Sequence, residues 1–472
     1  MEILLKIIII LSAISTVIVN TSVVINRWED ECELEAELVA EIASYENVTK
    51  RIMEEVRTNY GRTMYHEYER FIDKFGARPS GTEVLESSID HMINLTKYHG
   101  LDDVTTEELE VPHWVRIYES AKMYQPHMKN IAILGFGSSV STLPQGITAE
   151  VIVINSFDEL EKTDRKSIEG KIVVFDAHYV SYGKTVIYRS QGASKAAKKG
   201  AVATLVRSIT PFSIYSPHTG AQSYENNVTQ IPTAAITVED ADLMRRLQDS
   251  GVTIVLHLKM FYRSDTKKSR NTLVDLKGNL YPEKQVIVSG HIDSWDVGQG
   301  AMDDGGGMMI SWFVPVILNT LKLKPKRTIR AILWTAEEPG LIGAQEYLKK
   351  HLHELDNINF IMESDEGTFK PLGLDVAGSP KARCIVKEVL KQFTPINKIT
   401  NSGYPGSDIV IFVEKGLPGA SLLNENERYF WYHHSEGDTL NVQNIDNVAE
   451  CAGFWAAFAY VIADLSMDIP RQ

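Results

Sequence analysis

Three times in the second half of this 472-residue chain the same pattern recurs: a short apolar run, a turn bearing acids or histidine, then a helix-like stretch. QVIVSG (285–290) leads through HIDSWDVGQGAMDDGG to GMMISWFVPVILNTL (307–321). TIRAILW (328–334) leads through TAEEP to GLIGAQEYLKKHL (340–352), and NINFIME (357–363) leads through a loop opening SDEG to KARCIVKEVLKQF (381–393). Strand-length apolar runs alternating with helical patterns predict an α/β sheet covered by helices on both faces. Ligands of such sheets gather at the carboxyl ends of the strands, which is where this chain places its acids and His291. The final VAECAGFWAAFAYVIADL (448–465) is apolar nearly all round and predicts a buried helix, not a stable membrane span.

The length exceeds what one hydrophobic core organises, so two domains, one inserted in the other, are expected. AEVIVI (149–154), GKIVVF (170–175), AVATLVR (201–207) and AAITVED (234–240) read as short strands, and SKAAKKG (194–200) as a helix end stopped by glycine. Residues 131–260 therefore read as a separate, mostly β module, without clustered histidines and acids. Upstream, residues 31–56 carry an amphipathic helical pattern rich in Glu, and a second helix follows RPSGT, opened by Thr82 and stopped by Gly100.

The start has Lys6 followed by an apolar run from Ile7 to Val19 with small residues at Ser12, Ala13 and Ser15, the pattern of a secretory signal peptide. Acceptor sequons at Asn47, Asn94 and Asn227, with another at Asn20, fit that route and predict N-glycosylation. The expected organisation is a signal peptide at 1–20, a pro-segment at 21–44, a first part of a catalytic domain at 45–130, the insertion at 131–260 and the metal-binding part of the catalytic domain at 261–472. A net charge of -14 and no Lys/Arg block exclude a nucleic-acid surface. Cys32, Cys384 and Cys451 allow at most one bridge and leave a free thiol. Without a C-x-x-C pair, any metal must be held by His and carboxylates.

Such residues are present at four strand or loop ends: His291 and Asp303, Glu337 and Glu338, Asp365, and His434. Imidazole with carboxylate suits zinc, and also manganese or cobalt. Even with one Glu of the pair set aside, five ligands exceed one tetrahedral site and suffice for two ions sharing a carboxylate.

GHIDSWDVGQGAMDDGGG, WTAEEPGLIGA, MESDEGTF and HHSEGDT, in that order, resemble peptidase family M28, the co-catalytic zinc peptidases that include aminopeptidase Y and the glutamate carboxypeptidases. The likeness extends to PHWVR, KNIAILGFGSS, ITAEV, SIYSPHTG and PTAAITVEDA, and so covers nearly the whole mature chain. It implies a mixed-sheet α/β zinc-exopeptidase domain, phosphorylase/hydrolase-like, with an inserted β-rich protease-associated-like domain that covers the cleft and helps assemble a homodimer. It further implies two zinc ions per chain, with Asp303 as the bridge, His291 and Asp365 completing one site, and Glu338 and His434 the other. Glu337 then becomes the general base toward a zinc-bridging water, and Asp293 the partner that accepts the other ring N–H of His291. His433 is set aside because the family pattern is His followed by Ser or Thr, then Asp-Thr, which His434, Ser435, Asp438 and Thr439 meet.

The glycines after Asp304 are expected to let the backbone pass the metals closely and open the next helix. Pro339 departs from the usual residue after the Glu pair and is expected at the first position of a helix starting just past Glu338. His218 reads as a loop or interface residue, and Asp296 and Asp304 have no assigned task. The implied activity is that of a secreted or lysosomal carboxypeptidase acting on short peptides, dipeptides with free termini above all. An aminopeptidase of the same family, a one-zinc glutaminyl cyclase and a receptor-like binding protein without metals are the rival readings.

Overall fold

The computed structural model describes residues 32–471; the expected signal peptide and the Asn20 sequon lie outside them. The described residues form a mixed sheet of fourteen strands. In chain order these are β1 (Val104–Gln125), β2 (Lys129–Ile131), β3 (Ile133–Gly135), β4 (Ile147–Ile154), β5 (Ile172–Phe175), β6 (Ala203–Arg207), β7 (Thr233–Ile236), β8 (Val255–Leu276), β9 (Tyr281–His291), β10 (Arg327–Trp334), β11 (Ile358–Glu363), β12 (Pro371–Ala377), β13 (Lys398–Thr400) and β14 (Gly419–Asn424). Across the sheet they run β13-β12-β14-β11-β9-β10-β8-β4-β5-β6-β7-β3, with β1 paired to β8 and β2.

The catalytic half is a mixed sheet whose central strands β10, β9, β11 and β14 are mutually parallel, with β8 and β12 antiparallel at their flanks. Helices cover both faces, as the alternating pattern predicts. On one face Gly306–Thr320 and Ile445–Asp464 pack with Val286, Val288 and Phe360 into the largest core. On the other, Ile342–Lys350 packs through Ala344 and Tyr347 against Ile287, Ile332 and Trp334. The apolar C-terminal stretch is thus a core helix, and among the described residues no helix is long and apolar enough to cross a membrane. Helix Glu83–Tyr98 begins as read, with Thr82 accepting from the Leu85 N–H.

The 131–260 segment differs from its reading. Four parallel strands, β4 to β7, alternate with helices that include Ile187–Lys198 and Val238–Asp249, so the lobe is α/β and not mostly β. Helix Ile187–Lys198 buries Gly192, Ala193, Ser194 and Ala196, small residues that leave no pattern of large apolar side chains to read. Nor does the lobe end at 131 and 260. Strands β1 and β8 pair antiparallel from Val104↔Val274 to Gln125↔Val255 and run through both halves, β8 meeting β10 at one end and β4 at the other.

The N-terminal segment is bound into the catalytic half. Helix Ala36–Ser44 buries Leu38 and Ile42 in the main core, Cys32 is disulfide-bonded to Cys384, and Tyr45 donates to the Asp464 carbonyl. The third cysteine, Cys451, is free and buried.

Candidate metal centre and active site

Parallel strands end on one edge, and β9, β10 and β11 bring their carboxyl ends together: Trp334 pairs with His291, and Glu363 with Ser289. His291 closes β9, Glu337 and Glu338 follow β10, and Asp365 follows β11. Asp303 comes from the turn before helix Gly306–Thr320, and His434 from the loop after β14. All six converge in one buried cleft.

Asp303 sits in the middle with one carboxylate oxygen toward each histidine. Oδ1 is 3.3 Å from His291 Nε2 and Oδ2 is 3.2 Å from His434 Nε2. Asp365 Oδ1 lies 3.0 Å from His291 Nε2, and Glu338 Oε2 3.0 Å from His434 Nε2. Glu337 Oε2 stands back, 4.0 Å from His291 Nε2. His433 Nε2 also approaches Asp303 Oδ2, at 3.5 Å, with its ring stacked on that of His434. The Glu338 contact belongs to His434.

Both ring tautomers follow from the other nitrogen. His291 Nδ1 is 3.0 Å from the Asp293 carbonyl and His434 Nδ1 is 3.3 Å from the Thr219 carbonyl. A carbonyl only accepts, so each Nδ1 donates its proton, and it is Nε2 of each ring that faces the carboxylates. A cation among these atoms would be met by both Nε2 atoms and by the carboxylate oxygens, of which Asp303 Oδ2 and Glu338 Oε1 are buried without a hydrogen-bond partner. Three groups among the described residues have ligand atoms within 4.8 Å of one another. Asp176 with His178 and Asp242 lies in the lobe, where the sequence reading expected no such cluster; His291 with Asp303 and Asp365, and Asp303 with His433 and His434, both lie here. This nitrogen and oxygen donor set, rich in acids and without thiolate, fits zinc.

The sequence profile described as Peptidase family M28 matches residues 271–459. Carboxypeptidase Q of Xenopus laevis is 48% identical over 436 residues, 91% of this chain and 92% of that protein. The chain belongs to peptidase family M28. Carboxypeptidase Q of Homo sapiens is 48% identical over 443 residues, covering 92% and 93% of the two chains. Among solved structures, the Peptidase M28 precursor from Shewanella amazonensis SB2B superposes with a TM-score of 0.87 at 30% identity, over 91% of this chain and 99% of that one. A zinc aminopeptidase from Bacillus subtilis shares the fold, with a TM-score of 0.66 at 19% identity over 87% and 98% of the chains.

In this M28 chain, one expectation for Asp293 is corrected. The ring N–H of His291 goes to the main-chain carbonyl of Asp293, while its carboxylate is 3.8 Å from Nδ1. The carboxylate instead accepts from the N–H groups of Glu337 at 3.0 Å and Glu338 at 3.3 Å. The turn after β10 exposes those two donors at the end of its ladder, and the buried carboxylate satisfies them. Pro339 is corrected as well: the helix begins at Ile342, and Pro339 lies in a turn in which Gly340 and Leu341 N–H donate to the Glu337 carbonyl. That turn separates Glu337 from the helix, so the proline costs no helical hydrogen bond.

Several residues that hold the site have no role readable from sequence. The Arg78 guanidinium is fully buried and donates to the carbonyls of Gly76, Ile292, Gln299 and Gly300, pinning the loop between His291 and Asp303. The Asp438 carboxylate accepts from Ala301, Met302 and Asp303 N–H, cradling the turn that carries Asp303; burial and Asp303 push its carboxyl up to about 7. Asp304 accepts from His291 and Gly307 N–H, and Asp296 makes a two-pronged ion pair with Arg116 of β1 at 2.8 and 3.0 Å. Gly307 is required for close approach, since a Cβ there would meet the Ser364 carbonyl at 1.9 Å. Ser407 hydrogen-bonds Asp365, and the half-exposed Tyr404 stands near the same acids. Burial raises the Glu337 carboxyl well above its usual range, and the acids around it add to the shift. A narrow apolar cavity of about 40 Å³, lined by Trp114, Trp295, Pro112 and Pro339, borders Glu338.

Proposed function

We propose that the chain is a zinc metallo-exopeptidase holding two zinc ions, and that it acts as a carboxypeptidase on short peptides, dipeptides with free termini above all. Membership in a peptidase family and 48% identity to carboxypeptidases Q over nearly the full length support peptidase chemistry of that kind. The observation that carries the two-ion reading is Asp303, which directs one oxygen to each of two histidine–carboxylate pairs. In this reading His291, Asp303 and Asp365 hold one ion, and Asp303, Glu338 and His434 the other. When bound, zinc would supply Lewis acidity to the scissile carbonyl and to the attacking water.

The chain's own residues do the rest. Glu337 binds no ion in this assignment and stands back from the ligands, 4.0 Å from His291 Nε2, where an ionised carboxylate takes the proton of the attacking water and returns it to the leaving amine. Asp293 fixes the backbone of Glu337 and Glu338 together, so base and ligand keep their spacing. The buried walls exclude bulk water, which strengthens each of these electrostatic contacts. Assay of N-blocked and C-amidated dipeptides tests the terminus: cleavage of neither supports recognition of both free ends, cleavage of the N-blocked substrate alone supports a carboxypeptidase, and cleavage of the C-amidated one alone supports an aminopeptidase.

The reading extends to the route of the chain. A secreted or lysosomal glycoprotein agrees with the exposed Asn47, Asn94 and Asn227 and with the Cys32–Cys384 bridge. We also propose that the α/β lobe built on β3 to β7 acts as a protease-associated-like insertion and that the enzyme works as a homodimer, which light scattering of the purified glycoprotein tests. If a pro-segment is cut after Ser44, the bridge retains residues 32–44, and the fragment separates on a denaturing gel only after reduction.

A further inference from the structure

We propose that the 131–260 lobe is a working part of the metal centre: the main chain of Thr219, pinned by Arg189, sets the tautomer and position of His434. The inference rests on the reading that His434 holds an ion with Glu338 and Asp303.

His434 has a left-handed backbone, φ +59°, which a residue with a Cβ adopts at a cost and keeps only where its surroundings impose it. Thr219 imposes it from both sides. Its N–H donates to the His434 carbonyl at 2.9 Å, and its own carbonyl accepts from His434 Nδ1 at 3.3 Å. The first contact fixes the backbone, the second leaves Nε2 as the free nitrogen. Next to it, His218 Nδ1 donates to the His433 carbonyl at 2.6 Å, so two consecutive loop residues of the lobe clamp two consecutive residues of the catalytic half.

Thr219 is in turn held inside the lobe. Its hydroxyl donates to the Gly135 carbonyl at 2.8 Å. Arg189, on helix Ile187–Lys198, donates to the carbonyls of Thr219 at 3.2 Å and Ala221 at 3.1 Å and to the Tyr182 hydroxyl at 2.7 Å. Between them Gly220 has φ +140°, and a Cβ there would fall 2.3 Å from Arg189 Cζ. Arg189, His218, Thr219 and His434 are all buried, so water does not replace these bonds when one is lost. Arg189 touches none of the proposed zinc ligands and is therefore a positioning residue, acting through Thr219.

The experiment follows zinc release from the full-length zinc-loaded protein into a chromogenic chelator, for wild type, Arg189→Met and Arg189→Lys. Loss of a hydrogen-bond partner behind a metal-binding histidine weakens metal binding by about 10- to 100-fold. One of the two ions is expected to leave Arg189→Met faster by about that factor, the other at the wild-type rate, with Arg189→Lys between. The unchanged ion distinguishes positioning from general loosening of the fold. Release of both ions at wild-type rates, or equal acceleration of both, overturns the inference. If Arg189→Met does not fold, Gly220→Ala displaces the same guanidinium and carries the same two outcomes. A wild-type protein holding a single ion overturns the two-ion reading instead; the inference then survives only if Arg189→Met speeds the loss of that ion.

Discussion

The two halves of the proposed centre have the same donors and opposite kinds of support. His291 is fixed by its own strand end: its ring N–H meets the carbonyl of Asp293 two residues away, and its backbone N–H meets Asp304 thirteen residues on. His434 is fixed across the molecule, by Thr219, 215 residues away in the other lobe. Local support forms with the strand and its turn. Remote support exists only when the two lobes are packed, so the Glu338–His434 half answers to the state of the lobe and the His291–Asp365 half does not.

The largest expected effect separates the proton-transfer step from both halves. Glu337→Gln should lower kcat by about 10²- to 10⁴-fold, the usual range for loss of a general base, with zinc content unchanged. Loss of zinc from that variant would show that Glu337 is a ligand. Next, Asp365→Ala and Glu338→Ala should each remove one ion and keep the other, read by metal analysis after dialysis; if either loses both, the halves are not separable. Arg78→Met strips the donors from four carbonyls, three of them in the loop after His291, and should cost about 3 kcal/mol, seen as a fall in Tm. Faster zinc release in that variant should fall on the His291–Asp365 half.

A gradual effect, spread over the acid range, is a pH dependence of the lobe contact. Burial holds His218 down at about 4, against an ordinary histidine value of 6.5, with the nearby His434 and Arg189 also opposing its charge. Between those values the unfolded chain binds a proton that the folded chain refuses, so stability falls as pH drops from 6.5 toward 4 and is unaffected above 6.5. The slope is about 1.4 kcal/mol per pH unit. Thermal melts across that window measure it, and His218→Asn should flatten the slope.

Much of the catalytic half is legible in the chain itself. The apolar runs at 285–290, 328–334 and 357–363 are strands, the stretches after them are helices, and the residues in between meet at one edge because parallel strands share a direction. The lobe is less legible because Ile187–Lys198 packs through glycine, alanine and serine, which carry no strong periodic signal. Asp293 marks the limit for the site. Its place beside His291 is plain in HIDSW, but whether its carbonyl or its carboxylate meets the ring depends on the two N–H groups that β10 brings to it.

Sequence alone therefore brought out the six side chains that the structure gathers at one sheet edge, since residue types and strand alternation are local properties of the chain. Tertiary structure alone decided how each is held: the burial of Arg78, the Asp438 cradle and the Thr219 clamp on His434 use main-chain groups, which are the same in every residue and acquire a role only through what lies opposite them.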